Sequence, residues 1–184
     1  LLHHAAVFWP NLQLALLELS QDTDTPLVHA LLSSNEQSVL ARFNHTKRRR
    51  QFIGGRLCAR EAAQKFLANT FHETEKTALT AIETVNDQTG VPHLRFQGPW
   101  QPAETPHISI SHTQDLACAL CSYKPAGIDI QALTPSLAKT MERYVTPAEH
   151  DIAATFFDEA DTLSLSTLGC IWTAKEALKK ACTH

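Results

Sequence analysis

Ala59-Arg-Glu-Ala-Ala-Gln-Lys65 returns near the end of the chain as Ala174-Lys-Glu-Ala-Leu-Lys-Lys180, with Ala, Glu, Ala and Lys matched and Arg60 opposite Lys175. Ala, Glu and Lys are among the commonest helix formers, so composition alone can produce such an echo. Read as a duplication, it predicts two similar α+β halves facing each other across a cleft. The expected fold is therefore α+β: two pseudo-symmetric lobes, each a small antiparallel sheet packed on a long helix. Gly98-Pro99 and Pro102-Ala-Glu-Thr-Pro106 supply the linker. The lobes are then 1–103 and 104–184.

Working outward from the first copy, Lys47 to Leu67 reads as a strong helix. Phe52, Ile53, Leu57, Ala59, Ala63 and Phe66 roughly follow a helical period. Before it, Ser33–Arg42 forms a shorter helix capped by Ser34 or Asn35, with Glu36 in its first turn. Val7 to Leu19 reads as one or two strands around Pro10-Asn11. Thr80–Thr84 and His93–Phe96 are strands flanking the turn signal Asn86-Asp-Gln-Thr-Gly90. In the second half, His107–Ser111, Leu116–Tyr123 and Gly127–Gln131 read as three short strands. Thr134–Tyr144 and Thr146–Phe157 are helical, the latter opened by Thr146-Pro147-Ala-Glu149, a cap and capping box. The last helix runs from about Gly169 to Ala181.

The bulk numbers exclude several classes. A hydrophobic share of 43% with 19% charged residues describes a globular protein. A net charge of −3 disfavours a nucleic-acid or anionic-membrane binder, so any anion site must come from local clustering. Ala5 to Leu19 is broken by Pro10, Asn11 and Gln13, has no basic leader, and does not read as a membrane span. With no targeting signal, the cytoplasm is the expected compartment. The five cysteines are odd in number and irregular in spacing, which argues against a disulfide scaffold. Cys118-Ala-Leu-Cys121 is formally C-x-x-C, but it sits in a run that reads as a buried strand.

Three segments carry candidate chemistry. In Gly127-Ile-Asp-Ile-Gln131, Ile128 and Ile130 would anchor one strand face and hold Asp129 and Gln131 on the other. A fixed carboxylate suits Mg²⁺, though a solvated aspartate has the same pattern. In Trp172-Thr-Ala-Lys-Glu176-Ala-Leu-Lys-Lys180, Glu176 and Lys180 share a helix face, as an ordinary ion pair would, with Trp172 and Leu178 packing inward. In His107-Ile-Ser-Ile-Ser-His112-Thr113, alternating Ile108 and Ile110 leave Ser109, Ser111 and His112 as donors suited to phosphate oxygens.

Taken in order, Ser-Ile-Ser-His, Gly-Ile-Asp-Ile and Trp-x-x-Lys-Glu-Ala-x-x-Lys resemble the motifs of the Sfp-type 4′-phosphopantetheinyl transferase family. Gly55-Arg-Leu-Cys-Ala-Arg60 resembles that family's Gly-Arg-x-x-x-Arg helix, and the echo between halves fits its pseudo-twofold fold. The resemblance covers about residues 40 to 181. It implies that Asp129 and Glu176, with Gln131, bind Mg²⁺ beside the pyrophosphate of coenzyme A. It further implies that Glu176 deprotonates a serine of an apo acyl or peptidyl carrier protein and that Lys180 neutralises the bridging phosphate. Ser109, Ser111 and His112 would hold the coenzyme A phosphates, Lys47 the 3′-phosphate, and Gly90 would lie near the adenine. The products would be the holo carrier and adenosine 3′,5′-bisphosphate, made by a monomer.

The sequence departs from the pattern at three points. Gln131 stands where many members carry a third acid, which implies weaker metal binding. Val91 replaces the lysine of a Gly-Lys-Pro turn, with Arg95 a candidate to compensate. The chain stops at His184, where the family usually continues, implying a truncated or unusually short C-terminal lobe. Two other readings compete: a coenzyme A-binding but catalytically silent relative, and a nucleic-acid module built on Lys47-Arg-Arg-Arg50. Arg48, Arg49 and Lys139 are candidates for docking an acidic carrier.

Overall fold

A computed structural model describes residues 11–71, 81–97, 102, 104–134, 139–141, 143–157 and 163–183. One five-stranded antiparallel sheet organises them. Its strands are β1 (Leu12–Glu18), β2 (Ile82–Asn86), β3 (Pro92–Phe96), β4 (His107–His112) and β5 (Leu116–Ser122), in the spatial order β1-β5-β4-β3-β2. The helices are α1 (Pro26–His29), α2 (Ser34–Leu40), α3 (Thr46–Phe71), α4 (Pro147–Phe157) and α5 (Leu165–Cys182).

This corrects the expected two pseudo-symmetric lobes. The three strands before residue 103 and the two after it share one sheet, because β1 pairs with β5 along its whole length and β4 pairs with both β5 and β3. Gly127–Gln131, expected as a strand, is extended but joins no ladder. Side-chain hydroxyls of β4 take two of its N–H groups in place of a neighbouring strand. The echo that suggested duplication lies in α3 and α5 and needs no more than shared helix-forming composition. The two copies also behave differently. Glu61 and Lys65 form a surface ion pair at 2.6 Å, whereas Lys180 turns away from its own helix.

The core lies between the sheet and α3. Cys58, Ala59, Ala62, Ala63 and Phe66 of the helix meet Ala15, Ile108, Ala117, Ala119 and Cys121 of the strands. Small residues on both surfaces let helix and sheet approach closely. Cys118 and Cys121 stand an odd number apart and so face opposite sides of β5. Both are buried as free thiols, and burial raises the Cys118 pKa to about 11, which is the structural role expected of them. Part of the expected linker, 98–101 and 103, and residues 135–138 and 142 of the expected Thr134–Tyr144 helix lie outside the described residues.

Short-range signals locate the caps. Ser33, rather than Ser34 or Asn35, caps α2 in a full capping box with Glu36. Glu36 is 1% exposed and also accepts from Thr84 N and pairs with Arg60. Arg60 donates to Ile82 O, and Glu83, fully buried, takes Ser33 Oγ and Arg95. Buried charges must be paired and hydrogen-bonded to be tolerated, and these are. Arg95 is thus committed to Glu83, away from the turn where it was a candidate to replace a lysine.

Asp24 ties the start of α3 to the segment before it. Arg49 donates Nε and Nη2 to the two carboxylate oxygens of Asp24 at 2.7 and 2.9 Å, and His29 Nε2 lies 2.6 Å from Oδ1. The Arg49 hydrogen bonds, opposed by burial, hold the Asp24 carboxyl below its ordinary value. A depressed folded pKa means stability that is present above the unfolded value, near 3.8, and is lost as pH falls below it. Asp24→Asn should therefore cost about 1–2 kcal/mol at neutral pH and show a shallower loss of stability on acidification than the wild type. Urea titrations at pH 7 and pH 3 measure both. The same contact engages Arg49, one of the candidates for carrier docking, with Asp24.

Candidate active site

The site grows from the alternation in β4. Ile108 packs toward α3, so Ser109 and Ser111 point to the opposite face, beneath residues 127–131. Ser109 Oγ accepts from Ile128 N at 3.1 Å and Ser111 Oγ accepts from Ile130 N at 3.2 Å. Ser111 then donates to Asp129 Oδ1 at 2.8 Å. Both serines are buried. Their hydroxyls fix the backbone on either side of Asp129 and orient its carboxylate.

Lys180 completes the cluster from α5. Its Nζ donates to Asp129 Oδ1 at 2.8 Å, Ile128 O at 3.0 Å and Ile110 O at 3.3 Å, which uses all three N–H groups of the ammonium. The Asp129 side chain is 10% exposed. Its placement depends on Gly127, where a Cβ would fall 1.8 Å from Ala177 O and 2.9 Å from Ala181 N. Only a glycine lets this segment lie against the α5 backbone, and that contact sets the reach of Lys180.

Glu176 lies one turn before Lys180 on α5. It is half-buried and lies 3.9 Å from Lys179, a loose pairing. Gln131 is exposed, and its amide nitrogen donates to Ala132 O at 3.1 Å. Trp172 packs as expected, edge-on to Tyr144 at 5.4 Å, but Leu178 is exposed rather than inward. The capping box at Thr146 and Glu149 is present, and Lys175 joins Glu149 at 2.9 Å, fastening α5 to the start of α4.

Across β4 from this cluster, on the α3 side of the strand, is a cleft of about 310 Å³. Arg48, Gln51, Phe52, Gly55 and Arg56 of α3 line it, with Phe43, Asn86, Gly90, Pro92, Ile110 and His112. The structure thus brings His112 and Gly90 to one cavity. Gly90 closes the β2–β3 turn at φ 91°, the left-handed region that glycine enters without strain. Lys47 is exposed on α3 and is not among the lining residues, whereas Arg48 is. Spacings of three and four carry one α3 face from Arg48 through Gln51 and Phe52 to Gly55 and Arg56. Lys47 is turned off that face by one residue.

Two basic side chains of the cleft are shifted by their surroundings. The Arg56 side chain is 12% exposed, with its guanidinium 4.6 Å over the Phe52 ring and Nη2 donating to Asn86 Oδ1 at 2.8 Å. Its buried Nε has no hydrogen-bond partner among the described residues. Burial lowers the Arg56 pKa, with nearby Glu36 opposing the shift. Shielding of the His112 ring, followed by the charge of Arg48, lowers the imidazole pKa. A largely buried Arg56 guanidinium held in the cleft wall, with the exposed Arg48 also lining it, gives the cleft a positive character suited to a phosphate-bearing ligand. Arg56 and Asn86 were not singled out as site residues; the Gly55-Arg56 motif and the helical spacing from Arg48 were the available signals.

No family model matches the chain. The holo-[acyl-carrier-protein] synthase of Staphylococcus saprophyticus is 35% identical over 91 residues, a match spanning 50% of this chain and 72% of that protein. The corresponding protein of Staphylococcus aureus is 33% identical over 91 residues, spanning 50% and 71%. Among solved structures, a holo-(acyl-carrier-protein) synthase from Bacillus anthracis in complex with CoA (3′,5′-ADP) superposes with a TM-score of 0.50 at 26% identity, covering 60% of this chain and 92% of that one. The chain belongs to the phosphopantetheinyl transferase superfamily. Within it, these matches run to the holo-[acyl-carrier-protein] synthases rather than specifically to the Sfp type. Among the described residues no helix is long and apolar enough to cross a membrane.

Proposed function

We propose that this chain moves the phosphopantetheine arm of coenzyme A onto a serine hydroxyl of an apo acyl or peptidyl carrier protein. The observation that carries the reading is the Ser111–Asp129–Lys180 cluster at the end of β4, with a cleft lined by Arg48, Arg56 and His112 on the other face of the same strand end. The order of the three motifs supports the Sfp-type branch, with the similarity to holo-[acyl-carrier-protein] synthases supporting the reaction itself.

The donor set fits Mg²⁺. Asp129 and Glu176 offer carboxylates and Gln131 an amide oxygen, and Mg²⁺ is commonly held by one or two carboxylates with phosphates and water. Among the described residues no three His, Cys, Asp or Glu side chains cluster; in this reading phosphate and water oxygens would supply the rest of the shell. Bound there, Mg²⁺ would withdraw charge from the pyrophosphate.

Each protein group then has a task. Glu176 takes the proton from the carrier serine as its oxygen bonds to the phosphorus that bears the pantetheine arm. The bond from that phosphorus to the bridging oxygen breaks, and adenosine 3′,5′-bisphosphate leaves. Lys180 neutralises the bridging oxygen, giving up its longest contact, the 3.3 Å bond to Ile110 O, for a phosphate oxygen. Asp129, Ser109 and Ser111 hold the scaffold of the metal site, while the cleft holds the nucleotide. Chromatography should detect adenosine 3′,5′-bisphosphate only when coenzyme A, Mg²⁺ and an apo carrier are all present. Product without a carrier, or none with any carrier, would count against the reading; the latter, with coenzyme A still bound, would favour a silent coenzyme A binder.

A further inference from the structure

Asn86, the last residue of β2, joins two walls of the cleft through the two ends of one amide. Its Oδ1 accepts from Arg56 Nη2 at 2.8 Å, and its Nδ2 donates to Gly90 O at 3.1 Å. Arg56 reaches the cleft from α3, whereas Gly90 belongs to the β2–β3 turn, so this side chain sets the distance between helix and turn. Other fixings of Arg56 are less directional. Glu36 stands 3.8 Å from Nε and is already committed to Ser33 N, Thr84 N and Arg60, and the Phe52 ring offers a face rather than an acceptor. The turn is braced separately by Asp87, which accepts from Thr89 N and Val91 N, so Asn86 is not needed to form it.

We infer that Asn86 is a positioning residue for the nucleotide end of the cleft, holding the Arg56 guanidinium against the Gly90 turn at the separation a phosphate-bearing ligand needs. This rests on the proposed reading of the cleft as the coenzyme A site. Asn86 is exposed and stands apart from the Asp129–Lys180 cluster's contacts, so its removal should act on binding and leave the chemical step intact.

The test is a double-mutant cycle on coenzyme A affinity, measured by calorimetry on the full chain, with kcat taken at saturating coenzyme A. Asn86→Ala should weaken binding about tenfold, the scale of one hydrogen bond to a charged group, with kcat unchanged. In an Arg56→Gln background the same substitution should cost less than about twofold, because the partner it positions is gone. Arg56→Lys supplies a second background should the Gln variant fold poorly. Full independent effects of the two substitutions, or unchanged affinity in Asn86→Ala while the Arg56 variants bind weakly, would overturn the positioning role and leave the cleft reading standing. Unchanged affinity in both Arg56 variants would overturn the cleft reading itself and the inference with it.

Discussion

Gly127→Ala is expected to damage both the stability and the activity of this protein. The added methyl would meet Ala177 O at 1.8 Å, and that oxygen belongs to the backbone of α5, which cannot rotate aside as a side chain can. Overpacking costs typically about 1–3 kcal/mol, and a clash with helix backbone belongs at or above the upper end. For a chain of this size about 3 kcal/mol corresponds to a fall in Tm of roughly 6–12 °C. The functional cost follows from the same contact. If α5 retreats from residues 127–131, Lys180 is drawn off Asp129 and Ile128, and a shift of about 1 Å at such a site can cost about a hundredfold in rate. Calorimetry and single-turnover transfer measure the two effects. A variant with wild-type Tm and rate would show that α5 does not set the position of Asp129.

Lys180→Ala is expected to lower the rate more than Gly127→Ala does. Its ammonium lies among Asp129 Oδ1 and two carbonyl oxygens, so it both restrains the carboxylate and stands ready for charge that develops on a phosphate. Loss of such a preorganised donor lowers turnover by on the order of 10²–10³-fold. Coenzyme A affinity should change far less, because the arginines of the adjoining cleft remain. Single-turnover rates and coenzyme A titration on the same preparation separate the two. A rate within threefold of wild type would remove Lys180 from the chemistry and leave it a structural tether.

Much of the fold was legible, and the failures have a common origin. β3, β4, β5, α4 and the 26-residue α3 follow from alternation, helical period and local turn or cap signals, all of which act over a few residues. The two-lobed arrangement failed because strand partnership is set at long range: nothing local in Leu12–Glu18 says that it pairs with Leu116–Ser122. The Gly127–Gln131 segment alternates like a strand, yet its N–H groups find serine hydroxyls instead of a ladder, a choice made by Ser109 and Ser111 nineteen residues earlier. The same distance explains the site. Asp129, Ser111 and Lys180 were each singled out from their motifs, and the structure brings them together. The family resemblance implies a phosphate for Lys180 and helix spacing offers it Glu176; its pairing with Asp129, 51 residues away, is visible only in the fold. Arg48 and Arg56 were within reach of the helical period; Asn86 was not, because its role needs the turn and the helix to be seen side by side.

The central claim is tested most directly by intact mass spectrometry of apo carrier proteins incubated with this chain, coenzyme A and Mg²⁺, with Asp129→Ala and Glu176→Ala run alongside. The account predicts a phosphopantetheine adduct on at least one carrier with the wild type and none with either variant. An adduct that persists in both variants would contradict the assigned site, and the absence of any adduct with the wild type would contradict the transfer reaction.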